Sequence, residues 1–193
     1  GSEMCIRDRW ETYLNQIDFS EDALWQMLLT ASGQTAAVEA LGKPRSVDLD
    51  GPQGICAGRR STKETYAYCA QVLLGATFHP ELAYAFGQSI GNEALMIGLT
   101  GWYGPGVNIH RSAFCGRNFE YYSEDPLLSG KLASSCISGA ASRGVLSYMK
   151  HFALNNYEGP ATCLTVWATE QAIREIYLRS FETVSYTHLR AHE

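Results

Sequence analysis

The most restrictive feature of this sequence is a recurrence. Four short stretches ending near Asp50, Thr77, Ile109 and Lys150 follow one another at intervals of about 30 residues, the length of one βα unit in a (β/α)8 barrel of about 250 residues. The first, Ser46 to Asp50, is stopped by Asp50-Gly51-Pro52. The second, Gln71 to Thr77, is apolar on both faces, as in a parallel strand covered by helices. The third, Trp102 to Ile109, is interrupted by Pro105 and two glycines, and the fourth is Val145 to Met149.

Helix signals stand around and between them. Ser20, Glu21 and Asp22 form a capped, acidic start ahead of Leu24, Met27 and Leu28. Pro80 opens a helix with Leu82, Phe86, Ile90 and Ala94 on one face, where Gly87 and Gly91 permit close approach. Asp125-Pro126 opens another, with Leu128, Leu132, Cys136 and Ala140 inward and Gly144 as its end. Thr169-Glu170 begins the last, with Ala172, Ile173, Ile176, Tyr177, Ser180 and Phe181 on one side. The expected fold class is α/β, a partial (β/α)8 TIM-barrel-like domain of about the first four βα units.

Right-handed crossovers make such strands parallel, so every carboxyl end opens on one face of the sheet. Just past those ends stand Asp50, then Asn108 and His110 leading to Arg117, then Lys150 and His151. A carboxylate, a guanidinium, an ammonium and an imidazole converging there suit the directional binding of many hydroxyl groups, which points to a sugar. Trp102, Tyr103, Phe119, Tyr121 and Tyr122 add aromatic faces, or simply core.

Each residue has a plainer use. Asp50 caps a Gly-Pro turn, Arg117 pairs with Glu120 or Glu124, and Glu120 reads as structural. His110 reads as a donor fixing its loop, and Asn155, Asn156 and Glu158 as loop organisers or sugar contacts alike. Lys150 beside His151 at a buried strand end is the hardest to assign to packing alone.

Lys plus Arg number 15 and Asp plus Glu 20, a net charge of −5 with no basic stripe, so neither nucleic acid nor an anionic membrane surface is an expected partner. The longest uncharged stretch, Thr65 to His79, is too short to span a bilayer, which takes about 20 residues. Six cysteines, Cys5, Cys56, Cys69, Cys115, Cys136 and Cys163, form no C-x-x-C pair and read as reduced thiols, which favours a cytoplasmic setting. The five histidines lack compact ligand spacing, and no metal or cofactor is expected.

Both ends read as foreign to the fold. Gly1-Ser2 is similar to a tag scar, and Met4 to Arg9 and Val184 to Glu193 are similar to translated adapter read-through. Residues 1–9 and 184–193 are therefore set apart from 10–183.

The segments DGPQGI (Asp50 to Ile55), GWYGPGVNIHRSAFCGRNFEYYSEDPLLSGK (Gly101 to Lys131), KHFALNNYE (Lys150 to Glu158) and EQAIREIYLRSFE (Glu170 to Glu182) together resemble family 3 glycoside hydrolases. The resemblance implies that residues 10–183 are the N-terminal half of a TIM-barrel-like catalytic domain. In β-glucosidase-type members an α/β sandwich, and often a fibronectin-like domain, follows. It further implies exo-hydrolysis of terminal non-reducing β-D-glucosyl residues with retention, the substrate being a β-linked glucoside or short oligosaccharide. The nucleophilic Asp of an S-D-W-like motif and the acid/base Glu are not in this chain, so no catalytic carboxyl is assigned and the chain alone is expected to be inactive. Asp50, Arg117, Lys150 and His151 match the positions that grip the sugar in subsite −1.

There are departures from the family pattern. Cys56 and Ala161 stand where many members have Arg, and Tyr157 where Gln is common; KHFALNN also lacks the Gly-rich Asp-His loop of the N-acetylglucosaminidase branch. An open barrel edge predicts marginal stability and self-association. Alternatives are a non-catalytic carbohydrate-binding or assembly fragment and a Schiff-base lyase using Lys150.

Overall fold

The stretch Ser46–Asp50, expected as strand, is a strand with those bounds (β2) in the computed structural model, which describes residues 9–12, 14–16, 33–39, 42–56, 64–157 and 164–189. The chain divides into two compact units, Gly1–Asp48 and Leu49–Glu193. In the first, β1 (Gln34–Thr35) pairs antiparallel with the start of β2, Gln34 opposite Val47 and Thr35 opposite Ser46. Lys43 Nζ donates to Thr35 Oγ1 at 2.7 Å and to Ala36 O at 2.8 Å. The helix expected from Ser20 lies outside the described residues.

The second unit takes over the last two residues of β2 and continues through α1 (Gln71–Ala76), α2 (Pro80–Ile97), β3 (Gly101–Tyr103), α3 (Pro126–Ala141), β4 (Leu146–Ser147), α4 (Glu170–Ala172) and α5 (Arg179–Leu189). In the sheet β2 is followed by β3 and β3 by β4. β3 and β4 run parallel, Gly101 opposite Leu146 and Trp102 opposite Ser147. The chain is thus a mixed α/β fold.

One expected strand is overturned. Residues 71–77 hold α1, with Gln71, Leu74 and Gly75 buried and Val72 and Leu73 exposed. Burial at i, i+3 and i+4 is helical, and a run this short and apolar carries both periods, so only a distant partner decides. That partner is the Pro52 carbonyl, which accepts from the buried Gln71 amide at 2.5 Å. The third and fourth strands are shorter than expected. Regular pairing stops at Tyr103 and Ser147, because Pro105 has no N–H to donate, and beyond it the sheet survives as single parallel bridges from Gly106 to Tyr121 and to Lys150.

The helices follow their signals closely. Pro80 is the first residue of α2 and His79 caps it, its Nδ1 accepting from Leu82 N–H at 3.2 Å. Phe86, Ile90 and Ala94 are buried as expected, while Leu82 is exposed. Asp125 caps α3, its Oδ1 accepting from Leu127 N at 2.7 Å and Leu128 N at 3.2 Å. Leu132, Cys136 and Ala140 are fully buried beneath α2. The last helix begins at Glu170 with Thr169 as its cap, but includes a wider π turn at Ile173–Tyr177, and it runs past Thr183 to Leu189, with Val184 buried.

Of the described cysteines, Cys115 and Cys136 are buried and Cys56 and Cys69 exposed, all free thiols; burial pushes the Cys136 thiol up to about 12. No helix among the described residues is long and apolar enough to cross a membrane.

Candidate functional site

The site is assembled where the sheet gives way to single bridges. Gly106 is bridged to Tyr121 on one side and Lys150 on the other, and Lys150 is held through its own backbone: its N–H donates to Pro105 O at 3.1 Å and its carbonyl accepts from Val107 N at 2.7 Å. A side chain at Gly106 would begin 2.5 Å from the Glu120 carbonyl, so glycine is what lets the Arg117–Tyr121 turn dock against this backbone.

Within that turn, Asn118–Glu120 is 3-10 helix with Arg117 at its N-cap. Side chains three apart eclipse one another in such a turn, which brings Arg117 and Glu120 together: Arg117 Nε donates to Glu120 Oε1. The other carboxylate oxygen, Oε2, lies 3.5 Å from Lys150 Nζ. Lys150 Nζ in turn donates to Asp50 Oδ1 at 2.5 Å, and the same oxygen accepts from Gly51 N–H at 2.8 Å. The charges therefore alternate, from Asp50 through Lys150 and Glu120 to Arg117. Exposure falls from the Asp50 side chain, 59% exposed, to Lys150 at 14% and Glu120 at 4%, and rises again to 28% at Arg117.

His151 extends the row as a neutral ring. Burial, Arg117 and Lys150, in that order, lower it from its ordinary 6.5 to about 4. Arg117 Nη2 lies 2.6 Å from His151 Nε2, and a guanidinium can only donate, so Nε2 accepts. The ring proton then sits on Nδ1 and is donated to the Tyr121 hydroxyl at 3.0 Å, which also accepts from the Asn155 amide at 2.9 Å. Burial above all raises the Tyr121 phenol well beyond its ordinary range, so it stays protonated. The His151 backbone is clamped by Asn108, whose Oδ1 accepts from His151 N at 2.6 Å and whose Nδ2 donates to His151 O at 2.9 Å.

All four sequence-predicted site residues, Asp50, Arg117, Lys150 and His151, thus meet in one cluster. His110 does not join it; its Nε2–H reaches the carbonyls of Asn118 and Tyr121 at 2.9 and 3.0 Å and fixes the loop, as its plainer reading had it. Asn155 also holds a side chain in place, while Glu158 lies outside the described residues. Trp102, Tyr121 and Tyr122 are core, with Trp102 Nε1 donating to Gly51 O at 2.7 Å; Phe119 is exposed.

What sequence reasoning missed is the centrality of Glu120. The clue was its three-residue spacing from Arg117, but a buried pair and a solvent pair give the same clue. A Schiff-base role finds no support here, since such an amine needs a free lone pair and the Lys150 amine is instead bound between two carboxylates. Among the described residues no group of three His, Cys, Asp or Glu side chains is placed to hold a metal ion.

The family described as Glycosyl hydrolase family 3 N terminal domain matches residues 19–187. Beta-glucosidase A of Butyrivibrio fibrisolvens is 42% identical over 144 residues, which are 75% of this chain and 17% of that protein. Thermostable beta-glucosidase B of Acetivibrio thermocellus is 40% identical over 156 residues, 77% of this chain and 21% of that protein. The chain therefore spans about a fifth of the length of these relatives. Among solved structures, beta-glucosidase 3B of Thermotoga neapolitana in complex with alpha-D-glucose superposes with a TM-score of 0.75 at 39% identity, covering 82% of this chain and 23% of that one. Beta-glucosidase of Kluyveromyces marxianus in complex with glucose gives 0.83 at 29% identity, covering 92% and 22%.

Proposed function

The chain belongs to glycosyl hydrolase family 3, in its N-terminal domain, and from that premise we propose that it is part of a retaining, exo-acting β-glucosidase-like enzyme whose sugar-gripping residues it supplies. The observation that carries this reading is the convergence of Asp50, Arg117 and Lys150, with His151 behind Arg117, from three separate strand ends onto one cluster. Asp50 offers a half-exposed acceptor, and Lys150 and Arg117 offer charged donors, a set suited to the vicinal hydroxyls of a terminal glucosyl unit. His151 has both ring nitrogens bonded, so it joins the ligand set through Arg117. The two carboxyls that break the glycosidic bond belong to polypeptide outside this sequence.

On the same reading, β2 with α1 and α2, β3 with α3, and β4 with α4 and α5 are consecutive βα units from the first half of a (β/α)8 barrel. The unit that required a strand at residues 71–77 is not among them. Self-association would use the edge of β4, which pairs with β3 alone among the described residues.

The experiment is glucose binding by ligand-observed NMR, combined with an assay on an aryl β-glucoside. Weak binding that disappears in Asp50→Ala, without turnover, is the expected result. Absence of binding, or turnover that survives repurification and is lost in Asp50→Ala, overturns it.

A further inference from the structure

Sugar hydroxyls are neutral, which raises a question of charge. Two cations that grip a neutral ligand in a partly dry site receive no counter-charge from it, so the protein must supply one permanently. Asp50 can serve only in part, being half-exposed and itself placed to meet the ligand. Among the described residues, the carboxylate that meets both cations is Glu120, 3% exposed, with one oxygen on Arg117 Nε and the other 3.5 Å from Lys150 Nζ. Engaging Nε also fixes the rotation of the guanidinium plane, and it is with the plane so fixed that Nη2 reaches His151 Nε2. The carboxylate has its own anchorage, since the turn carrying it docks through its backbone on side-chain-free Gly106.

We propose that Glu120 is a positioning residue for sugar binding: it touches no ligand, but holds Arg117 and Lys150 in the one arrangement in which both face the same hydroxyl cluster. This rests on the glucoside-binding reading of the site. It differs from a plain structural ion pair in one respect, namely that its loss is felt in affinity through Arg117 even where the chain remains folded.

The test uses the 15N-labelled full chain, reading exchange of the Arg117 Nε–H, assigned by its absence in Arg117→Lys, together with glucose affinity. In the wild-type chain this proton exchanges slowly. In Glu120→Gln, which keeps the shape and removes the charge, its exchange accelerates and glucose affinity falls about tenfold, the loss expected for one charge-assisted hydrogen bond.

Arg117→Lys keeps the cation but has no Nε–H for Glu120, and its affinity falls comparably; the double variant is no worse than either single one. Free-arginine exchange in the wild-type chain, or losses that simply add, overturns the proposal. So does a Glu120→Gln variant that melts lower yet binds glucose as before. If the wild-type chain binds no glucose, the glucoside reading fails by itself, and the Nε–H exchange still decides whether Glu120 positions Arg117.

Discussion

Where α2 meets α3, Gly87 lies against the Cys136 carbonyl and Gly139 against the Tyr84 carbonyl, so closely that an added Cβ would stand 1.9 and 2.1 Å from those oxygens. Around Glu120 the contacts are instead side chain to side chain, with Asp50, Lys150, Glu120 and Arg117 alternating in sign. The first region is held by shape, tolerating little added volume and nearly indifferent to pH. The second is held by charge and hydrogen-bond direction, so it tolerates small changes of shape but not the loss of one partner. The difference suggests a division of labour, in which the helix pair fixes whether this unit folds and the polar cluster fixes what the folded unit binds.

The comparison can be broken most directly at Gly139. Gly139→Val puts two methyl groups into the Tyr84 backbone, and the expected loss is about 3 kcal/mol, at the upper end of overpacking costs. Chemical denaturation measures it. A loss below about 1 kcal/mol, within the range of tolerated core swaps, would mean that the helices separate easily and that shape is not what holds them.

The helix layer was also the more legible region in the sequence. Pro80 and Asp125 announce the starts of α2 and α3, because a cap and a proline act within one turn and need no distant partner. The end of β2 was equally local. α1 was misread as strand, since its six residues satisfy either period until the Pro52 carbonyl, far back in the chain, claims Gln71. The continuation of α5 to Leu189 was not visible either, because residues 184–193 are similar to translated adapter read-through and no capping signal marks the helix end, although Val184 continues the buried face. In the candidate site, strand-end logic put Asp50, Asn108, His110, Arg117, Lys150 and His151 on one face, the family resemblance narrowed them to Asp50, Arg117, Lys150 and His151, and the structure brings those four into one cluster. Glu120 escaped because its spacing from Arg117 does not tell a buried pair from a solvent pair, and its second contact, Lys150, comes from another strand end.

Acid sharpens the contrast from the other side. His151 is buried neutral at about 4 against an ordinary 6.5, so between those values the unfolded chain takes up a proton that the folded one refuses. Its contribution is therefore complete above about pH 6.5 and is lost as pH falls through about 4; after a discount for the ring's partial exposure it amounts to about 2 kcal/mol. Thermal melts from pH 7 to pH 4.5 should show the decline, and His151→Gln should flatten it. A wild-type profile that stays level would show that the ring is not held neutral, and the cluster would then be less closed than its hydrogen bonds imply.

The smallest effect is expected at the junction of the two regions. Ser123 accepts from His110 N–H at 3.1 Å on the site side, and two residues later Asp125 caps α3 on the helix side. Asp125→Ala leaves two amides at the start of α3 without their carboxylate, a loss of about 1 kcal/mol, because the cap is exposed and water replaces it in part. If shape and charge are separate means of support, this variant lowers the melting temperature by a few degrees and leaves exchange of the Arg117 Nε–H unchanged. Accelerated exchange there would instead mean that fraying at the start of α3 reaches Glu120 through the residue 121–125 segment, and the two regions would have to be treated as one cooperative element.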